Sequence, residues 1–97
     1  MSRNKKISHK SKILLITTRG CEGCAIIRRL IEEAITISKK DVELTVKDAS
    51  DIDKKWLKHN RVTDFPTTFL VKDDVIKYKF VGTVPAIVIS QWIKVNL

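Results

Sequence analysis

Ile13-Leu14-Leu15-Ile16-Thr17-Thr18-Arg19-Gly20-Cys21-Glu22-Gly23-Cys24 sets the frame in which the remainder of this chain is read. Its first four residues are a continuous apolar run, the pattern of a strand buried on both faces. From Ala25 onward the pattern becomes helical, so Cys21 and Cys24 fall at a strand-to-helix turn with the first sulfur at a helix N-terminus. Unpaired backbone N–H groups and the positive end of the helix macrodipole favour a thiolate over a thiol there. A second sulfur one turn away can close a disulfide reversibly. The spacing therefore points to redox chemistry.

These two cysteines are the only ones among 97 residues, a length that builds one domain. With 43% hydrophobic residues the chain can fold without staples, and a bridge across so short a loop constrains the unfolded chain little. Chemistry explains the pair better than stability does. The apolar run near the N-terminus is too short for a secretory h-region or a membrane span, and no other segment reaches that length. A reducing cytoplasmic setting is the expectation, where a close cysteine pair is catalytic or metal-binding more often than structural. The net charge is +8, of which Arg3, Lys5, Lys6, Lys10 and Lys12 supply five. Residues 1–11 read as a basic flexible arm ahead of a domain spanning 12–97. The arm has no aromatic residue for base stacking, so nucleic-acid binding is not favoured.

Beyond the first strand, at 12–17, a helix is expected from 22 to about 38. Ala25, Ile27, Leu30, Ile31, Ala34 and Ile35 form its inner stripe, and Arg28, Arg29, Glu32 and Glu33 form i,i+4 pairs in water. Val42, Leu44 and Val46 alternate as a second strand over 42–47. Ser50, with Asp53 three residues on, offers an N-cap to a helix that turns Ile52, Trp56 and Leu57 inward and ends with Lys58 and His59, followed by Asn60 as its C′ residue. Strands at 67–71 and 75–81 flank a tight turn. In the second, Ile76, Tyr78 and Phe80 point one way, while Lys77 and Lys79 guard an edge. Pro85 suits the first turn of a last helix capped by Thr83 or Val84, with Val88, Trp92 and Val95 on one face. The order β-α-β-α-β-β-α predicts a four-stranded mixed sheet flanked by helices, its first two strands parallel and its last two a hairpin.

Cys21-Glu22-Gly23-Cys24 after a first strand, then Val62-Thr63-Asp64-Phe65-Pro66-Thr67-Thr68-Phe69, then Phe80-Val81-Gly82, resembles thioredoxin. Coverage runs over 12–97 and lacks the strand and helix that precede this core in many thioredoxins, so the resemblance is to a minimal, glutaredoxin-sized version of the fold. It implies a cis Phe65–Pro66 bond lying against the cysteines, with the Phe65 backbone free to pair with an extended substrate segment. It places Gly20, Glu22 and Gly23 at the same substrate-binding surface. Thr83-Val84-Pro85 imitates the glutaredoxin form of the proline segment but follows the hairpin, and the glutathione-binding Gly-Gly-x-Asp segment is absent.

Three departures bear on the chemistry. The family's tryptophan and proline around the cysteines are replaced by Gly20 and Gly23, so its redox potential does not carry over. Glu22 opposes the effect of the helix dipole on the thiolate, and Arg19 is placed to offset it. The register at which family members bury a proton-relaying carboxylate falls on Leu15, leaving water or Lys47 for that role.

The expected activity is thiol–disulfide exchange by a monomer, with Cys21 as nucleophile and the more buried Cys24 as resolving thiol. The redox-active disulfide itself serves in place of a bound cofactor. Disulfide-containing proteins are the implied substrates, and a thioredoxin-reductase-type enzyme is the implied recycling partner. The alternatives are a glutathione-coupled reductant and a non-catalytic binding module. A structural zinc needs four ligands, and only His9 and His59 are available to join the two thiolates.

Overall fold

A computed structural model of the chain describes residues 10–97. Its elements are β1 (Ser11–Thr17), α1 (Glu22–Ser38), β2 (Glu43–Asp48), α2 (Lys54–His59), β3 (Thr67–Lys72), β4 (Val75–Val81) and α3 (Ala86–Asn96), in the expected order. A single 3₁₀ turn, Ala49–Asp51, links β2 to α2. The four strands form one mixed sheet in the order β2-β1-β3-β4. Because α1 carries the chain back over the sheet, β1 and β2 run parallel, with Leu15 opposite Val46. On its other side β1 is antiparallel to β3, with Leu15 opposite Thr68. Partners on both edges explain the uninterrupted apolar run, and Ile13, Leu15 and Ile16 are fully buried.

Alternation along the strands divides the sheet into two faces. Ile13, Leu15, Leu70 and Phe80 join Ile27, Ile31, Ile89 and Ile93 in a core between the sheet and helices α1 and α3. Tyr78 and Phe80 enclose Trp92 there, with ring centroids 4.6 and 5.2 Å away. On the opposite face α2 lays Trp56 edge-on against Phe69 at 5.4 Å. Both tryptophans serve packing, as their helical spacing predicts.

Helix α1 has the predicted bounds and ends at Lys39, which adopts the left-handed conformation and donates its N–H to the carbonyls of Ile35 and Thr36. Its buried stripe is Cys24, Ile27, Ile31, Ala34 and Ser38; Ala25, expected inward, is exposed. Arg28 and Glu32 form the expected pair at 3.8 Å, both more than half exposed and worth only a few tenths of a kcal/mol.

The described residues correct several other expectations. Residues 10 and 11 belong to the fold and not to the arm. Ser11 opens β1, and Lys10 exchanges hydrogen bonds with Asp73 in the β3–β4 turn. The other residues assigned to the arm, 1–9, lie outside the described residues. Ser50 does not cap α2. Asp48 accepts from the Ser50 amide, while Asp53 caps α2 by accepting from the Lys55 amide. Aspartate two residues ahead wins each time because its short side chain folds back onto the nearest free N–H.

In β4 a bulge intervenes: Leu70 pairs with Tyr78, but Val71 pairs with Ile76, so Lys77 is skipped. The extra residue moves Ile76 to the α2 face and away from Tyr78 and Phe80. Lys79 is no free edge guard either. It reaches across the C-terminal end of α2 and donates to the carbonyls of Asn60 and Arg61 at 3.1 and 2.8 Å. Pro85 caps α3 from outside the helix, whose buried face is Ala86, Ile89, Ser90 and Ile93. Val95, placed inward by its spacing, is 82% exposed.

Two substitutions separate core from surface. Ile31→Ala removes a fully buried side chain from the α1–sheet core and should cost about 2–5 kcal/mol by urea unfolding. Val95→Ala should stay within about 0.5 kcal/mol of wild type.

Candidate redox site

Strand β1 ends at Thr17, and the chain needs only four residues to reach α1. Gly20 makes this possible with φ of 76°, a left-handed conformation that costs other residues about 1 kcal/mol. Cys21 then stands at the N-cap in extended conformation, and its side chain makes no capping hydrogen bond. This position lies at the positive end of the helix dipole, which favours a thiolate over a thiol. Cys21 is partly exposed, whereas Cys24 turns inward and is 9% exposed. The two are joined as a disulfide, with Cα atoms 5.4 Å apart. The sulfur that meets solvent and the sulfur that waits behind it are thus distinguished by burial.

The Phe65–Pro66 bond is cis, and Pro66 is buried against the cysteine loop. A Cβ added to Gly23 would lie 3.7 Å from Pro66 Cδ and 3.6 Å from Thr83 Cγ2, ordinary van der Waals contact. The Pro66 carbonyl accepts the Gly82 N–H at 2.8 Å, tying the segment before β3 to the end of β4. Phe65 is half-buried, and the described residues leave its backbone N–H and C=O unpaired. The structure therefore brings together Gly20, Cys21, Glu22, Gly23, Cys24, Phe65 and Pro66.

It does not bring Lys47 to them. Lys47 pairs with Ile16 in register and lines an open groove on the α2 face with Leu14, Thr45 and Trp56, across the sheet from Cys24. Period-two alternation is the reason: Val46 faces α1, so Lys47 faces away. Arg19 is exposed, and its charge is felt at Asp48. The Ser50 hydroxyl and amide hold the Asp48 carboxyl below the ordinary carboxylate range, with Arg19 assisting.

The sequence reading passed over Thr83. Thr83-Val84-Pro85 reads as a lead-in to α3, but Thr83 packs against the cysteine loop. The signal was Gly82, with φ of 84°, which turns the chain back toward Pro66 directly after β4. Among the described residues no three His, Cys, Asp or Glu side chains gather to hold a metal, and no helix is long and apolar enough to cross a membrane.

Two glycines of this loop should respond oppositely to alanine. Gly20→Ala should destabilise by about 1 kcal/mol through its positive φ, whereas Gly23→Ala should be neutral or stabilising by up to about 1 kcal/mol. Thermal unfolding of both variants measures this. Because the folded-state pKa of Asp48 is depressed, its contribution is present above the unfolded pKa and is lost as pH falls through the folded value. Asp48→Asn should therefore flatten the stability profile below about pH 4, measured by urea unfolding against pH.

No family model and no curated relative matches the chain. Solved structures do. Thioredoxin-2 of the malaria parasite, a component of its protein secretion machinery, superposes with a TM-score of 0.70 at 17% identity, over 89% of this chain and 82% of that one. A reduced thioredoxin pre-protein of Schistosoma mansoni gives 0.70 at 19%, over 96% and 85%. Chloroplastic thioredoxin z gives 0.67 at 20%, over 91% and 79%. At such identities the likeness is one of fold, and the sheet order, the helix placement and the position of the cysteine pair agree with it. The chain has a minimal thioredoxin fold.

Proposed function

We propose that this protein is a thiol–disulfide oxidoreductase that reduces disulfides in other proteins. One observation carries the reading: a partly exposed Cys21 at a helix start, bridged to a buried Cys24 in a turn that meets Pro66 at Gly23. In the dithiol form, the Cys21 thiolate attacks one sulfur of a substrate disulfide. A Cys21–substrate bond forms, and the first substrate thiolate leaves and takes a proton from solvent. Cys24 loses its proton to solvent and attacks Cys21. The Cys21–Cys24 bond forms, and the second substrate thiolate departs. Two electrons have passed to the substrate, and the chain is left in the disulfide form.

The unpaired Phe65 backbone supports substrate docking. An extended segment laid beside it gains main-chain hydrogen bonds without regard to its side chains. The cysteine pair is the redox group, so no bound cofactor is required. Return to the dithiol needs a donor, which we assign to a thioredoxin-reductase-type enzyme in a reducing, cytoplasmic setting. The protein acts as a monomer in this scheme.

Turbidimetric insulin reduction with dithiothreitol tests the activity. Wild type should accelerate precipitation, and Cys21→Ser should fall to the dithiothreitol background. Cys24→Ser should accumulate a mixed disulfide through Cys21, visible as a thiol-sensitive higher-mass species. Equal rates for wild type and Cys21→Ser would instead favour a non-catalytic binding module.

A further inference from the structure

Four polar side chains are buried among the described residues: Ser38, Thr67, Thr68 and Ser90. Ser38 donates to the Ile35 carbonyl, Thr67 to the Asp64 carbonyl and Ser90 to the Ile87 carbonyl. Thr68 is the exception. Its Oγ1 is fully enclosed and has no hydrogen-bond partner. A buried hydroxyl left in this way is costly, and Thr68 occupies a strand position where Val would offer the same shape without the cost.

The position of that hydroxyl gives it a use. Thr68 lies opposite Leu15 on β1 and Phe80 on β4, and all three side chains face α1 and α3. It is the second residue of β3, close behind Pro66, which precedes the strand. Pro66 in turn meets the first turn of α1 at Gly23. The next residue, Cys24, is the one whose sulfur turns into the protein beneath that turn. The orphan hydroxyl and the buried sulfur thus share one layer, at the end of the sheet where the helix begins.

We propose that the Thr68 hydroxyl is a redox-tuning group that hydrogen-bonds the Cys24 sulfur in the dithiol form and loses this partner when the disulfide closes. The inference rests on the exchange activity proposed above, although its test does not. In the disulfide, the Cys24 sulfur is committed to Cys21, and the hydroxyl is stranded, as the structure shows. In the dithiol, the Cys24 sulfur is released and becomes both a hydrogen-bond acceptor and, as a thiol, a weak donor. A hydroxyl that is satisfied in only one redox state weights the equilibrium toward that state.

The reaction to measure is Cys21–SH plus Cys24–SH plus oxidised glutathione giving the Cys21–Cys24 disulfide plus two reduced glutathiones, followed by acid quench, alkylation and mass spectrometry. Thr68→Val keeps the shape and removes the hydroxyl. It should raise the equilibrium constant for oxidation roughly tenfold, about 30 mV toward a more reducing potential. Thr68→Ser keeps the hydroxyl and should remain within about twofold of wild type. Thr68→Ala serves as a second hydroxyl-free variant should the valine variant fold poorly, with the same direction expected. Urea unfolding of each redox form closes the cycle. Thr68→Val should gain stability as the disulfide and lose it as the dithiol.

An unchanged equilibrium constant in both hydroxyl-free variants overturns the proposal, as does equal destabilisation of the two redox forms. Insulin reduction by wild type separates this failure from failure of the proposed activity. A wild type inert toward insulin overturns the enzymatic reading, while the glutathione equilibrium still reads the role of Thr68.

Discussion

Pairing of β1 on both of its edges is the constraint from which the redox site follows. Held parallel to β2 and antiparallel to β3, the strand cannot shift by a residue without turning Ile13 and Leu15 away from the α1–α3 core and turning Lys12, Leu14 and Ile16 into it. Its C-terminal end is therefore fixed in space. The four residues that follow have one short path to the start of α1, through the positive φ of Gly20. Cys21 is delivered to the helix N-cap by this path. The same antiparallel pairing sets where β3 begins, which places Pro66 over the first turn of the helix. Cys21 and the proline beside its loop are two ends of one strand register.

The sheet also works as a partition. Residues at odd positions of β1 face α1 and α3 with the buried sulfur of Cys24, and even positions face α2 and an open groove. Lys47 belongs to the second side and Thr68 to the first, so a single layer of backbone decides which polar groups share the side of Cys24. Charge near the cysteines is confined to the exposed rim, at Arg19 and Glu22. The interior behind them offers a hydroxyl and aliphatic side chains. Such an environment tunes a sulfur through hydrogen bonding and desolvation more than through fixed charge.

Much of this was legible in the chain because its strongest signals are local. The apolar run of β1, the 3.6-residue stripe of α1 and the alternation of β2 each depend on neighbours close in sequence. The bounds of α1 agree with its local periodicity for that reason. Departures arose where a distant partner intervened. The bulge that turns Ile76 away from Tyr78 is a property of the β3–β4 pair, invisible in β4 alone. Val95 carries the spacing of a core residue, but the buried face of α3 is chosen by where α1 and the sheet stand. Caps followed a subtler competition, in which Asp48 and Asp53 out-reached Ser50 for the free amides.

The sequence by itself determined the order of elements, the cysteine pair at a helix start and the proline segment that precedes β3, since spacing, periodicity and turn chemistry are written along the chain. Tertiary structure alone decided that Ile76 turns to the α2 face, that Thr83 rather than Lys47 adjoins the cysteine loop, and that one enclosed hydroxyl has no partner. Those outcomes depend on which face of a strand meets which helix, and on whether a polar atom finds another across the core. Such relations arise only when residues far apart in sequence compete for the same space.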